Sequence, residues 1–152
     1  MWTPFKYFAG TWQGTGSGKP GTGQYERIYE FILNDRFLHV RNKSVYPPHE
    51  GNPQGEIHED WGFISRDKAR ATFVYRQFHI EGFVNQYALD HIAQDGKEIV
   101  FVTKNIENIQ AGWRAKETYK ILSPDEFMEV FELAAPGKDF EVYTECLLRR
   151  TA

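Results

Sequence analysis

Apolar and polar residues alternate along this chain in ten short runs, and residues that favour turns stand between the runs about every ten to fourteen positions. The runs cover 10–17, 24–33, 37–46, 56–65, 69–77, 83–91, 98–105, 113–122, 126–134 and 140–149. Successive side chains of a strand point to opposite faces, so a two-residue period marks strands with one buried and one solvated face. Between the runs lie Asn34-Asp35, Pro47-Pro48, Arg66-Asp67, Asp95-Gly96, Ser123-Pro124-Asp125 and Pro136-Gly137, each with a residue that tolerates or demands a turn conformation. Such short connections make sequential strands antiparallel. No long helical period separates them, which disfavours a parallel βαβ sheet.

Aromatic residues make up 16% of the chain, a bias that suits strands because wide side chains pack well on a pleated surface. Ten strands joined in order leave two unpaired edges unless the sheet closes on itself, and closure removes those edges. The expected fold is therefore all-β: a single antiparallel up-and-down β-barrel of about ten strands, with residues 1–152 as one domain. A two-sheet sandwich is the alternative. Thr3-Pro4 suits a helix start, so one short helical turn is expected within 2–8. The glycine-rich stretch 14–23 and the proline-containing stretch 47–55 read as mobile loops placed to gate an entrance.

Charge narrows the partners. With 18 Lys+Arg against 21 Asp+Glu the formal net charge is −3, and no basic stripe appears, so neither nucleic acid nor a membrane is an expected partner. The opening Met1-Trp2-Thr3-Pro4-Phe5 has no secretory leader pattern, and a cytoplasmic location is expected. Cys146 is the single cysteine, which excludes an intramolecular disulfide and reads as a small core residue.

Two motifs carry a family resemblance. Gly10-Thr11-Trp12-Gln13-Gly14-Thr15-Gly16 reads G-x-W-x-G-x-G, and the last run ends in Leu147-Leu148-Arg149-Arg150. Together they resemble the calycin superfamily of lipocalins and fatty-acid-binding proteins, where an indole plugs one barrel end and an arginine of the last strand stacks on it. The resemblance implies barrel closure by Trp12 with Arg149 or Arg150. The extra glycines, with His58-Glu59-Asp60-Trp61-Gly62-Phe63 and Gly82-Phe83-Val84-Asn85, are similar to the nitrobindin-like group of ten-stranded barrels, some of which bind haem. That group begins its last strand with an iron-binding histidine, and Tyr143 stands in its place here. The resemblance thus implies the barrel with no cofactor, haem being the alternative in which Tyr143 replaces the ligand.

Alternation gives parity sets that share a face: Tyr25, Arg27, Tyr29 and Phe31; Leu38, Val40, Asn42 and Ser44; Phe83, Asn85, Tyr87 and Leu89; Trp113, Ala115, Glu117, Tyr119 and Ile121; Phe127, Glu129, Phe131 and Leu133. From these the candidate ligand-binding residues are Tyr25, Arg27, Tyr29, Val40, Asn42, Asn85, Tyr87, Glu117, Tyr119 and Glu129, with Tyr143. The resemblance adds His58 and His79 near the cavity. If Glu117 and Arg27 both point inward they are expected to pair, because an unpaired buried charge is costly; the opposite parity puts these charges in solvent. No metal site is expected, since at most His58 and Asp60 share a side and a third ligand would have to come from His39 or His79.

No G-x-S-x-G elbow is present, and the glycines at 14, 16 and 18 precede a strand and not the helix a phosphate cradle needs. The expected function is therefore binding of a small hydrophobic or amphipathic ligand inside the barrel, without catalysis. One alternative is an enzyme using the same cavity for acid–base chemistry through Glu117, Glu129 or His58. An interaction module using its outer face is another, and it predicts a lumen packed solid. Outward-facing aromatics would favour a homodimer.

Overall fold

The computed structural model describes residues 1–152. Its strands are β1 (Gly10–Gly18), β2 (Gly23–Ile32), β3 (Phe37–Tyr46), β4 (Glu56–Asp67), β5 (Thr72–His79), β6 (Val84–Ile92), β7 (Glu98–Glu107), β8 (Arg114–Ser123), β9 (Glu126–Ala134) and β10 (Glu141–Arg150). Each strand pairs antiparallel with its sequence neighbours, and β1 pairs with β10 from Trp12 opposite Arg150 to Gly18 opposite Thr144. That last ladder closes the barrel and disposes of the sandwich alternative. The helical element is one 3-10 turn at Lys6–Phe8.

Most strand ends fall within two residues of the sequence expectation, and two differences have clear causes. The connection between β4 and β5 takes up 68–71, where Ala71 sits at φ 53, so β5 starts at Thr72 and not at 69. The glycine-rich 14–23 stretch is not a loop throughout: its first half is strand. Gly14, Gly16 and Gly18 share the Trp12 face of β1, and a Cβ on them would run into the carbonyl oxygens of Leu147, Glu145 and Tyr143. Here glycine permits close backbone approach at the seam.

One barrel end is plugged. The N-terminal segment tucks Trp2, Phe5 and Phe8 beneath the strands, all buried with Trp12, Phe73, Phe101 and Phe127. The rings meet edge to face, with centroids 4.7 Å apart for Trp12–Phe127 and for Phe5–Phe73, and 5.0 Å for Phe8–Phe127. Trp12 donates its indole N–H to Phe8 O at 2.8 Å. Arg150 lies 4.3 Å above the Trp12 ring and donates to Tyr7 O at 2.7 Å and Ala9 O at 2.8 Å. Of the two arginines the resemblance left open, Arg150 makes the closure. Arg149 is excluded because alternation turns it outward, where its side chain is 72% exposed and meets Glu126 at 2.8 Å. On the outer face Trp61 and Phe78 are directly paired across β4 and β5, and both are exposed.

Candidate functional site: a polar floor beneath an apolar rim

At the other end the barrel opens into a cavity of about 370 Å³. A solid lumen, the expectation for an outer-face interaction module, is not found. The half-buried rim is apolar, formed by Phe83, Ile106, Trp113, Phe131, Leu133 and Tyr143. Below it lie the buried polar residues Arg27, Asn42, Asp60, Gln77, Asn85, Glu117 and Glu129.

Register explains the polar floor. Arg27 stands opposite Asn42, Asn42 opposite Asp60, and Asp60 opposite His79, a single row running across β2, β3, β4 and β5. Asp60 Oδ1 accepts from Asn42 Nδ2 and Gln77 Nε2, each at 2.8 Å, and Oδ2 lies 3.2 Å from His58 Nε2. Burial works against the Asp60 charge, yet the bonds from His58 and Gln77 and the nearby Arg27 hold its carboxyl below the usual range. Gly62 leaves space on β4 that the Tyr75 ring fills, since a Cβ there would strike the ring. The glycine of the His58–Phe63 motif is thus a packing requirement.

Across the lumen, Arg27 donates Nε to Glu129 Oε2 at 2.9 Å and its Nη2 lies 2.8 Å from the same oxygen in an ion pair with side-chain exposures of 8% and 5%. The Cys146 thiol, buried as expected, donates to the same oxygen at 3.6 Å. The expected pairing of Arg27 with Glu117 is therefore corrected: Glu129 takes the guanidinium. Glu117 makes no bond to it, and its Oε2 is buried without a partner. Burial, reinforced by the Glu129 charge, raises the Glu117 pKa above the usual carboxylate range and so favours the protonated form. Asn42 Oδ1 and Asn85 Oδ1 are likewise buried and unpartnered.

The two histidines lie side by side near the mouth. His79 Nδ1 is 3.2 Å from His58 Nε2, Asn85 Nδ2 is 3.1 Å from His79 Nε2, and His58 Nδ1 is 3.0 Å from Glu81 Oε2. Burial pushes the His79 imidazole down to about 4. For His58 burial acts in the same direction, but Asp60 and Glu81 outweigh it and raise the pKa. His39 is not near them: it stacks on Phe63 at 4.8 Å beside the exposed Trp61.

Of the candidate residues, the structure brings Tyr25, Arg27, Asn42, His58, His79, Asn85, Glu117, Glu129 and Tyr143 to the cavity wall. Tyr29, Val40, Tyr87 and Tyr119 share the inward face but sit outside that wall, buried in the core. They are corrected to packing residues: Tyr29 and Tyr119 lie 5.5 Å from Phe8, and Tyr87 stacks on Tyr75 at 5.5 Å. Sequence reasoning missed Tyr46, whose hydroxyl meets that of Tyr25 at 2.7 Å, and also Gln77 and Glu81. Parity on β5 would have found Gln77, two residues from His79. Glu81 lies in the turn between β5 and β6, where no period applies.

No family model matches the chain, and no curated protein matches it. Among solved structures it is similar to Rv2717c from M. tuberculosis, at 15% identity and a TM-score of 0.71, over 99% of this chain and 97% of that one. This likeness shows the fold, a closed ten-stranded antiparallel β-barrel. A de novo designed fluorescence-activating β-barrel matches at 16% identity and a TM-score of 0.45, over 96% and 95% of the two chains. A protein of unknown function from Nostoc punctiforme matches at 8% identity and a TM-score of 0.35, over 99% and 98%.

Proposed function

We propose that this barrel captures a small amphipathic molecule whose polar end carries N–H or O–H donors and whose apolar body rests against the rim. One observation carries the reading: two amide oxygens of the floor, Asn42 Oδ1 and Asn85 Oδ1, are buried without partners, and both residues line the cavity. Unsatisfied buried acceptors are costly, so a donor-bearing head group gains from each it reaches. The guanidinium of Arg27 is already committed to Glu129, which leaves no free cation on the floor to attract a carboxylate head. Phe83, Trp113 and Phe131 then desolvate the ligand body, a division of labour usual for small-molecule pockets.

Haem has no place in this reading. Tyr143 stands where the nitrobindin-like barrels carry their iron ligand, and ferric iron would need its phenolate. Burial, with the charges of Glu56 and Glu81, pushes that phenol up and opposes the anion.

Native mass spectrometry of the protein as purified, followed by calorimetric titration with octan-1-amine and with octanoate, tests the proposal. A retained small molecule and at least tenfold preference for the amine are expected, and Asn85→Leu should weaken amine binding about tenfold, one lost hydrogen bond's worth. Preference for octanoate, or no binding of either with nothing retained, sinks it. Glu117 alone favours a second reading, because a neutral buried acid is what a proton donor in catalysis requires. Turnover of a retained molecule that disappears in Glu117→Gln while binding persists would decide for that reading.

A further inference from the structure

We propose that His58, His79 and Glu81 form a binding site for a borderline divalent transition metal ion, Zn²⁺ above all, at the mouth of the cavity. One ligand atom from each of the three lies within 4.8 Å of the others. The set contains two imidazoles and one carboxylate, which suits zinc or cobalt and not the all-oxygen shells of calcium and magnesium.

His58 and His79 come from adjacent strands β4 and β5, whose register fixes their separation. Zinc binds nitrogen and oxygen at roughly 2.0–2.2 Å, which sets tetrahedral donors about 3.3–3.6 Å apart, so the widest spacing among the three must close while His58 Nδ1 and Glu81, at 3.0 Å, already stand near enough. Glu81 supplies that movement. It is exposed, on the turn ahead of Gly82, which sits at φ +98, and its carboxylate already reaches His58 Nδ1 at 3.0 Å.

A second observation is independent of the three ligands. The other ring nitrogen of His58 faces Asp60 Oδ2 at 3.2 Å, and Asp60 is fixed in turn by Asn42 and Gln77. A carboxylate behind a histidine in this way sets the tautomer that leaves the opposite nitrogen free for metal and strengthens it as a ligand. Asn42 and Gln77 thereby serve the site at one remove. Three protein ligands leave at least one coordination position, and since all three residues line the cavity, that position faces the ligand-binding space. The strands close into a barrel through their own ladders, so metal removal should leave the fold intact.

The test is titration of chelator-treated, dialysed full-length protein with Co²⁺, followed by its visible d–d absorption, and then displacement by Zn²⁺. One equivalent of Co²⁺ with the intense bands of a four- or five-coordinate ion is expected. Glu81→Gln and His79→Ala should each weaken binding at least tenfold, whereas His39→Ala should not change it. Asp60→Asn, acting through His58, should weaken binding about tenfold and shift the Co²⁺ bands. Glu81 is exposed, so its variant reports on the site even where His58→Ala or Asp60→Asn fails to fold; far-ultraviolet circular dichroism identifies those cases. Absence of bound Co²⁺ and Zn²⁺, or binding that survives unchanged in both Glu81→Gln and His79→Ala, overturns the proposal.

Discussion

The two ends of this barrel are built on the same strands to opposite designs. On β2, Tyr29 packs toward the plug while Arg27 and Tyr25, two and four residues earlier, face the cavity; on β9, Phe127 belongs to the plug and Glu129 to the floor. At the closed end aromatic rings fill the lumen, and all three nitrogen-bearing side chains find acceptors: Trp2 on Asp35 O, Trp12 on Phe8 O, Arg150 on Tyr7 O and Ala9 O. At the open end buried carboxylates crowd one arginine, and three oxygens remain unpartnered. The closed end is arranged for stability. Unpartnered buried oxygens occur in the core as well, on Tyr29 and Tyr75, but those of Asn42, Asn85 and Glu117 belong to residues that line the cavity, where a ligand can reach them.

Breaking the plug should have the largest effect. Trp12→Ala removes a fully buried ring and the surface on which Arg150 stacks, and should lower unfolding stability by about 3–5 kcal/mol in urea titrations. A loss below about 1 kcal/mol would mean that the plug is not the stable end.

On the floor, Glu129→Gln strands the Arg27 guanidinium in a buried setting and should cost about 3 kcal/mol by the same measurement. The double variant Arg27→Met with Glu129→Leu should recover most of that, because what destabilises is the uncompensated charge. If the single change were silent, the pair would have to be more hydrated than its exposures of 8% and 5% imply.

The two C-terminal arginines sharpen the contrast between inside and outside. Arg150→Ala should cost about 1–2 kcal/mol through the lost stacking and two unpaired carbonyls, against less than about 0.5 kcal/mol for the exposed Arg149→Ala. Equal effects would return the closure to an open choice between them.

The most specific prediction, read from a slope and not from a single loss of stability, concerns Glu117. Its folded pKa is raised above the unfolded value, so its contribution is intact at acid pH and is lost as pH climbs from the ordinary carboxylate range through the raised value. Glu117→Gln keeps the shape of the neutral acid without that loss. Thermal midpoints should therefore fall less steeply with rising pH in the variant than in the parent; superimposable profiles would show that Glu117 ionises normally in the folded protein.

Much of this was legible along the chain. Alternation located all ten strands and grouped the residues that share a face on β2, β3, β8 and β9, because the pleat repeats every two residues; the structure decided that the sets with Arg27, Asn42, Glu117 and Glu129 face inward. Depth along the barrel was not legible. Tyr29 and Tyr25 carry the same parity signal, and only the N-terminal segment tucked into one end turns the first into core and leaves the second at a cavity wall.

By itself, then, the sequence determined the strands, their order, their antiparallel sense and the sets of residues that share a face, while which set faces inward was left to the tertiary structure. Those four depend on local period and on turn chemistry between neighbours. Tertiary structure alone decided that Glu129 and not Glu117 holds Arg27, that Arg150 caps Trp12, and that Glu81 joins two histidines. The first two hang on residues 102 and 138 positions apart, brought together by how the sheet curls and closes, and the third on a turn that no strand period reaches; no local pattern carries either.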